Sequence, residues 1–222
     1  MADNLFARLK AANRDEWEAY IHHPFVAGLA NGSLPEASFR HYLDQDYLFL
    51  IQFARAYGLA AYKSSSLEDI RQAAQGLSAI IDLEMDLHVE FSAAWGLSLA
   101  DMEAMPAAVE TLAYTSFVLE TGLSGDTLDL HVALAPCIIG YAEIGLELMG
   151  TRADNPFAAW IAMYASDDYQ AAAEAERRHL DALFAVRAGE GRMDGLGKIF
   201  NQATRLEAAF WQMGLDSPIL KP

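Results

Sequence analysis

Residues 39–57 read FRHYLDQDYLFLIQFARAY, with apolar residues recurring every three or four places. That period places them on one side of an α-helix. The members of this apolar side are Phe39, Tyr42, Leu43, Phe49, Leu50, Phe53 and Tyr57. Asp46 falls in the middle of the apolar side, whereas Asp44 projects to roughly the opposite side. We therefore expect a long helix that buries one carboxylate, Asp46.

The same helical period continues through most of the chain. We predict seven main helices near 3–20, 35–63, 67–95, 106–122, 125–149, 166–189 and 192–213, with short helices around 23–31 and 156–164. Helices are expected to stop at Gly96, Gly122, Gly150 and Gly189. No linker or repeat divides the sequence, so the fold class predicted for residues 1–222 is one all-α domain, a compact helical bundle.

The charge balance is strongly acidic, because 31 acidic residues face 15 basic ones and leave a net charge of -16. The electrostatic field of this negative charge repels phosphate backbones and anionic membrane surfaces, and no cluster of basic residues offsets it. We therefore expect no nucleic-acid partner and no membrane partner. A single cysteine cannot form an internal disulfide, and the first residues lack a secretory signal, so the expected location is cytoplasmic.

Two more residues stand out because they are reactive groups on apolar helix faces. Glu207 shares a face of the last helix with Phe200, Phe210 and Trp211. Cys137, the only cysteine, shares a face with Tyr141 in the helix that contains Pro136. A buried carboxylate costs several kcal/mol unless it is paired. Buried acids beside a lone cysteine fit either a functional site or a hydrogen-bonded polar core.

Glu84 and His88 form a third candidate pair, because they lie four residues apart on one face. That spacing can hold a metal ion, and it can equally form a buried acid–histidine hydrogen bond. The other histidines show no spacing typical of metal ligands. We expect no metal and no other cofactor.

Five motifs together resemble the TenA/thiaminase II family over about residues 5–215. In chain order they are HHPFVAGLANGSL (22–34), YLDQDYLFL (42–50), EMDLH (84–88), PCIIGYAEIG (136–145) and FNQATRLEAAFW (200–211). The resemblance implies a haem-oxygenase-like helical fold without haem, and a homotetramer. It also implies hydrolysis at the methylene carbon attached to a 4-amino-2-methylpyrimidine ring. The implied substrate is the aminomethylpyrimidine from degraded thiamin, with intact thiamin cleaved less well.

The resemblance also assigns roles to individual residues. Cys137 matches the nucleophile and places this chain in the family's cysteine branch. Glu207 matches the acid/base, and Asp46 matches the carboxylate that grips the aminopyrimidine. The remaining matches are aromatic residues of the substrate pocket: Phe49, Tyr114, Tyr141, Tyr164 and Phe210. Some members have tyrosine at position 49, so Phe49 keeps a stacking surface and loses a hydroxyl group.

Two other functions remain open at this stage. A di-metal oxidase on the same fold would need about six histidine and carboxylate ligands on facing helices. A non-catalytic protein that binds thiamin or a pyrimidine would need only the pocket. For the tetramer, the far side of the Asp46 helix offers Tyr47, Leu48 and Ile51 as apolar surface.

Overall fold

The computed structural model describes residues 4–150, 154–187 and 189–216, and these residues form helices and no strands. The helices are α1 (Leu5–Ala12), α2 (Arg14–Ile21), α3 (Pro24–Asn31), α4 (Glu36–Lys63), α5 (Leu67–Ala79), α6 (Met85–Ala94), α7 (Leu99–Glu103), α8 (Val109–Ser124), α9 (Thr127–Leu148), α10 (Ala158–Tyr164), α11 (Asp167–Arg187) and α12 (Met193–Leu215). A π-helical segment, Ile80–Glu84, joins α5 to α6, and a 3₁₀ turn, Glu190–Arg192, precedes α12. The all-α prediction is confirmed. Residues 1–3 and 217–222 of the predicted domain lie outside the described residues.

Helix α9 is the central element, and α8, α10, α11 and α12 pack around it. It is long and apolar enough to cross a membrane, but 89% of its most apolar window is buried inside the fold, as expected of a core helix. Glycines let its neighbours approach closely. A Cβ atom on Gly145 would lie 2.5 Å from the backbone carbon of Tyr164, which α10 contributes to the site described below.

Both ends of α8 are held by side chains of α4. Gln45 Oε1 accepts hydrogen bonds from the Ala108 backbone N–H at 2.7 Å and from the Thr111 hydroxyl at 2.8 Å. At the other end, Lys63 Nζ donates to the carbonyl of Gly122 at 2.6 Å. These contacts satisfy backbone groups that every helix end leaves without an intrahelical partner. The predicted stop at Gly122 is wrong, since α8 continues to Ser124.

Other helix boundaries differ from the prediction in informative ways. The predicted helix 3–20 is divided at Asn13, whose φ of -124° leaves the helical range. The predicted helix 67–95 is interrupted by the π-helical segment, and the short α7 was not predicted. Gly96, Gly150 and Gly189 do follow helix ends, and all three adopt positive φ, which favours glycine.

Helix α4 confirms the buried position of Asp46, which is 4% exposed. Asp44 is buried as well, contrary to expectation, and burial raises its pKa to about 6 while Arg40 opposes the rise. Tyr47, expected on an apolar outer surface, is only 3% exposed. Leu48 and Ile51, expected on the same surface, are partly exposed, and helices such as α7 and α8 pack against α4, which amphipathic periodicity in α4 alone cannot reveal.

Candidate active site

The structure brings all eight predicted site residues into one buried cluster. Helix α4 supplies Asp46 and Phe49, and α9 supplies Cys137 and Tyr141. The other members of the cluster are Tyr114 from α8, Tyr164 from α10, and Glu207 and Phe210 from α12. Each of the eight is at most 5% exposed. Their placement agrees with the predicted site, and their individual roles remain predictions.

Cys137 and Glu207 form the reactive pair of the cluster. The Tyr114 hydroxyl donates to Glu207 Oε1 at 2.8 Å, and the charge of Glu207 acts on the Cys137 thiol. Burial raises the pKa of Glu207 to about 8, although the bond from Tyr114 lowers it. Burial and then the charge of Glu207 raise the pKa of Cys137 well above its ordinary value. The cysteine is therefore a thiol at neutral pH, beside a carboxyl group that can receive its proton when it is ionised.

Asp46 is held by two side chains that both bond the same oxygen. The Tyr42 hydroxyl donates to Asp46 Oδ2 at 2.9 Å, and His88 Nε2 lies 2.8 Å from Oδ2. No hydrogen bond from the described residues reaches Oδ1. The carboxyl group is thus fixed in orientation and keeps one oxygen free to accept a hydrogen bond from a ligand.

The two ring nitrogens of His88 determine the proton content of its pair with Asp46. His88 Nδ1 lies 2.7 Å from the backbone carbonyl oxygen of Glu84, which can only accept, so Nδ1 carries a proton. A second proton must lie between Nε2 and Oδ2. Burial lowers the pKa of His88, but the hydrogen bond and the charge of Asp46 outweigh burial and raise it above its ordinary value. The pair is best described as an imidazolium bonded to a carboxylate.

The Glu84 side chain forms no hydrogen bond with His88, so the acid–histidine side-chain bond considered for this pair is not formed. Glu84 Oε2 instead accepts a 3.3 Å hydrogen bond from the Tyr164 hydroxyl. Burial, and then the charge of Asp46, raises the pKa of Glu84 to about 8. Within the described residues, no group of three or more histidine, cysteine or acidic side chains is placed to hold a metal ion.

The aromatic residues of the cluster form two groups that flank the polar atoms. In the first, the ring of Phe49 lies 4.8 Å from that of Tyr114 and 5.7 Å from that of Phe210, measured between centroids. In the second, the ring of Tyr141 lies 4.9 Å from that of Tyr164. Offset and tilted rings of this kind leave π faces on which a flat heterocycle can stack.

Sequence reasoning missed Tyr42 and the true partner of His88. Tyr42 precedes Asp46 by four residues, and that spacing alone could have indicated their hydrogen bond. The bond from His88 to Asp46 joins residues 42 positions apart. No local pattern reports such a contact, because it exists only after α4 and α6 pack together.

Comparisons with known proteins agree with this architecture. The model of the TENA/THI-4/PQQC family matches residues 11–217. An aminopyrimidine aminohydrolase of Halalkalibacterium halodurans is 38% identical over 203 residues, which cover 90% of each chain. The crystal structure of a TenA family transcription regulator from Silicibacter sp. TM1040 has a TM-score of 0.90 at 44% identity, and the match covers 95% of this chain and 96% of that one.

A more distant structure shows how far the fold extends. A domain from Shewanella denitrificans with a heme oxygenase-like fold has a TM-score of 0.72 at 14% identity, and the match covers 97% of this chain and 94% of that one. The predicted haem-oxygenase-like fold is confirmed.

The raised pKa of Glu207 predicts a pH-dependent loss of stability. Its pKa is about 8 in the folded protein against an ordinary 4.5, so the folded state binds more protons between these values. The free energy of unfolding therefore falls as pH rises through this window. Glu207→Gln removes this titration. Between pH 5 and pH 8 we therefore expect the free energy of unfolding of this variant to fall by about 1–3 kcal/mol less than that of wild type.

Urea unfolding at both pH values measures this difference. Glu68→Gln, a substitution at an exposed glutamate of α5, controls for the loss of one charge. If the free energy of unfolding falls equally in wild type and in Glu207→Gln, then Glu207 is not a buried, protonated carboxyl group.

Proposed function

The chain belongs to the TENA/THI-4/PQQC family, and we propose that it is a thiamin-salvage hydrolase that acts on aminopyrimidines. Its proposed substrate is 4-amino-5-aminomethyl-2-methylpyrimidine, which it converts to the 5-hydroxymethyl compound and ammonia. The name of the Halalkalibacterium halodurans relative supports this reaction class. The observation that carries the proposal is that the Cys137 thiol and the buried carboxyl group of Glu207 share one cluster with the half-free carboxylate of Asp46.

The first half of the proposed reaction removes the amine. As the ionised form of Glu207 takes the thiol proton, the Cys137 sulfur forms a bond to C6 of the pyrimidine ring. The ring electron pair moves through N1, C2, N3 and C4 and breaks the bond between the C5 methylene carbon and nitrogen. Glu207 returns the proton to the departing nitrogen, so ammonia leaves and an exocyclic methylene remains on the ring. Covalent addition replaces one difficult displacement with two easier steps.

The second half adds water and releases the enzyme. Glu207 accepts a proton from water as the oxygen bonds to the exocyclic methylene. The electron pair then returns through the ring and breaks the bond from sulfur to C6, and the sulfur recovers its proton from Glu207. A carboxyl group with a pKa of about 8 can both accept and donate protons near neutral pH.

Asp46 orients the ring in this scheme. Because Tyr42 and His88 occupy Oδ2, only Oδ1 is free, and a single hydrogen bond from the 4-amino group fits better than a two-point grip. The 4-amino nitrogen becomes more positive as the ring expels the leaving group, so an adjacent carboxylate favours that step. The hydrogen bond from the imidazolium of His88 offsets the cost of burying the Asp46 carboxylate.

The alternatives are less well supported by the arrangement. A pyrimidine-binding protein needs the aromatic rings and Asp46 but gives no role to a thiol that lies in the same cluster as a buried carboxyl group. The di-metal oxidase needs a ligand set, and the side chains of Glu84 and His88 bond Tyr164 and Asp46 instead.

Ammonia release provides the direct test of the proposed function. Wild type should release ammonia from the aminomethylpyrimidine, and Cys137→Ala and Glu207→Gln should each lower the rate by at least about 10²-fold. Glu147→Gln changes a half-exposed carboxylate of the same α9 helix and should retain wild-type activity. Near-wild-type rates in folded Cys137→Ala would refute the cysteine mechanism, and no release by folded wild type would refute the reaction.

His88 should act as a positioning residue through Asp46. His88→Phe removes the donor to Oδ2, and we expect kcat/KM to fall about 10²-fold, with weaker binding of the hydroxymethylpyrimidine product. His88→Gln supplies an amide N–H in place of Nε2 and should restore part of the loss. Kinetics and calorimetric titration of the product measure both effects. Equal activity in His88→Phe and His88→Gln would show that the hydrogen bond to Asp46 is not what matters.

We also propose a homotetramer, with the outer face of α8 as one interface. Val109, Leu112 and Leu123 follow a helical stripe on α8 and are 76%, 53% and 67% exposed. Apolar side chains aligned in this way favour association. Sedimentation should give four times the subunit mass of 24.3 kDa, and Leu112→Glu should reduce it. A monomeric wild type would contradict this.

The cytoplasmic location and the absence of nucleic-acid and membrane partners stay predictions.

A further inference from the structure

The site cluster, formed by the eight residues of the candidate active site, is almost closed to solvent. Each of the eight is at most 5% exposed, so the cluster offers a ligand almost no surface unless a wall of the site moves. A cleft of about 250 Å³ adjoins the cluster, between α4, α5, α9, α11 and the π-helical segment. Its lining residue Ile138 follows Cys137 in α9, and its lining residue Phe53 stacks on Phe49. The walls of this cleft therefore control access to the cluster.

Helix α5 is the wall that buries the fewest side chains. Ala73 is its only buried residue among 13, and it is 1% exposed. Leu67 and Ile70, two of its apolar side chains, are 61% and 40% exposed. Burial of apolar side chains supplies most of the stability of a packed helix, so α5 is weakly held by this term.

Polar contacts do not compensate for the weak packing of α5. The side-chain bond that α5 makes beyond its own residues runs from Ser78 to Asp82 in the adjoining π-helical segment. Within the described part of the chain, no hydrogen bond or ion pair joins an α5 side chain to another α-helix. The α11 wall differs, because its Gln170 amide donates to the Ala142 carbonyl of α9 at 2.9 Å. A segment with few buried contacts and few cross-links opens at a lower free-energy cost than the core.

One close contact sets the position of α5 over the cleft. The Gly76 backbone lies directly against the ring of Tyr57 from α4, and a Cβ atom at position 76 would overlap that ring. Tyr57 is only 5% exposed, and both residues line the cleft. Glycine permits such an approach because it has no side chain. The closed position of α5 thus rests on a van der Waals contact, which forms and breaks without the loss of a hydrogen bond.

Both ends of α5 have backbone geometry suited to a hinge. Before α5, the chain leaves the helical range, since ψ is 137° at Ser64 and 151° at Ser66. After α5, the Met85 backbone N–H donates to the Ile80 carbonyl, five residues earlier, as in a π-helix. Helices bend at π-helical turns, and such turns are frequent at functional sites. Helix α5 can therefore rotate as a unit while α4 and α6 keep their positions.

The far end of the π-helical segment is anchored in the site. Glu84 Oε2 accepts the 3.3 Å hydrogen bond from the Tyr164 hydroxyl, and the Glu84 carbonyl oxygen lies 2.7 Å from His88 Nδ1. Glu84 is only 7% exposed. The segment is thus fixed at Glu84 and can bend before it. This arrangement confines the motion to α5 and leaves the pair of His88 and Asp46 intact.

From these observations we propose that α5 is a lid, which opens to admit a ligand to the site cluster and closes when Gly76 packs on Tyr57. Its hinges are residues 64–66 and the π-helical segment. Hinges of this kind are a few residues at the ends of an element that absorb the backbone rotation. The inference goes beyond the proposed function and does not require it, because the motion belongs to the protein without a ligand.

Cys137 provides a probe of lid opening, because it is the only cysteine and is 5% exposed. We expect dithiodipyridine, a flat disulfide reagent, to modify Cys137 of wild type at a rate that low urea concentrations change by less than about 2-fold. A local opening exposes little new surface and so depends weakly on urea. A rate that rises with urea as steeply as global unfolding would overturn the lid, because the cysteine would then react only in the unfolded protein.

Gly76→Leu places a side chain where the Tyr57 ring lies and should hold the lid open. We expect Cys137 to react at least about 10-fold faster in this variant, still with little dependence on urea. Gly58→Leu is the matched control, because Gly58 is exposed on α4 and has no atom within 4 Å of an added Cβ. Circular dichroism checks that both variants fold. Equal reaction rates in wild type and folded Gly76→Leu would overturn the lid.

Hydrogen exchange tests the lid in wild type and separates its failure from failure of the proposed function. Bound hydroxymethylpyrimidine should slow exchange in residues 67–79 at least about 5-fold and leave the peripheral helix α1 unchanged. A product that binds without slowing exchange in α5 would overturn the lid and keep the proposed function. A protein that binds no pyrimidine and releases no ammonia loses the proposed function, and the reaction of Cys137 in the free protein still decides the lid.

Discussion

The burial of several acidic groups in one apolar core is the constraint on which the site depends. Asp46, Glu84 and Glu207 are at most 7% exposed, the charge of Asp46 raises the pKa values of Glu84 and Glu207, and among the described residues no lysine or arginine forms an ion pair with the three. A buried charge without a partner is too costly to persist, so each group must be neutralised in another way. Asp46 is paired with the imidazolium of His88, whereas Glu84 and Glu207 hold protons up to a pKa of about 8. The site therefore combines one carboxylate paired with an imidazolium and two carboxyl groups that hold protons at neutral pH.

This division gives Asp46 and Glu207 different chemical capacities. An ionised Asp46 can accept a hydrogen bond from a ligand, and a carboxyl group that titrates near neutral pH can exchange protons with a thiol. The difference arises from neighbours and not from residue type, since Asp46 has an imidazolium beside it and Glu207 has a phenol and a thiol. The same burial that adjusts proton affinity opposes folding, which is a common property of functional sites.

The helical framework makes this arrangement possible by holding each group from a different element. The π-helical segment ends at Glu84, and its backbone carbonyl fixes the proton on His88 Nδ1. Small residues of α9 permit close packing, as Gly140 does against the ring of Tyr20, whose hydroxyl donates to the Pro136 carbonyl at 3.2 Å. The backbone beside Cys137 is thereby supported by a fully buried tyrosine. Rigid supports of this kind keep reactive groups oriented without solvent.

The sequence by itself determined the all-α class, most helix positions and the burial of Asp46, Cys137 and Glu207, because these follow from helical periodicity within one segment. Resemblance of motifs identified the family and grouped the eight site residues. Only the tertiary structure decided that Asp44 and Tyr47 are buried, that α8 extends beyond Gly122 to contacts with Lys63, and that His88 bonds Asp46 instead of the Glu84 side chain. It alone also revealed the cleft. The physical reason is the same throughout: these features depend on contacts between residues distant in the chain, and the periodicity of one helix carries no information about which neighbour covers its other faces.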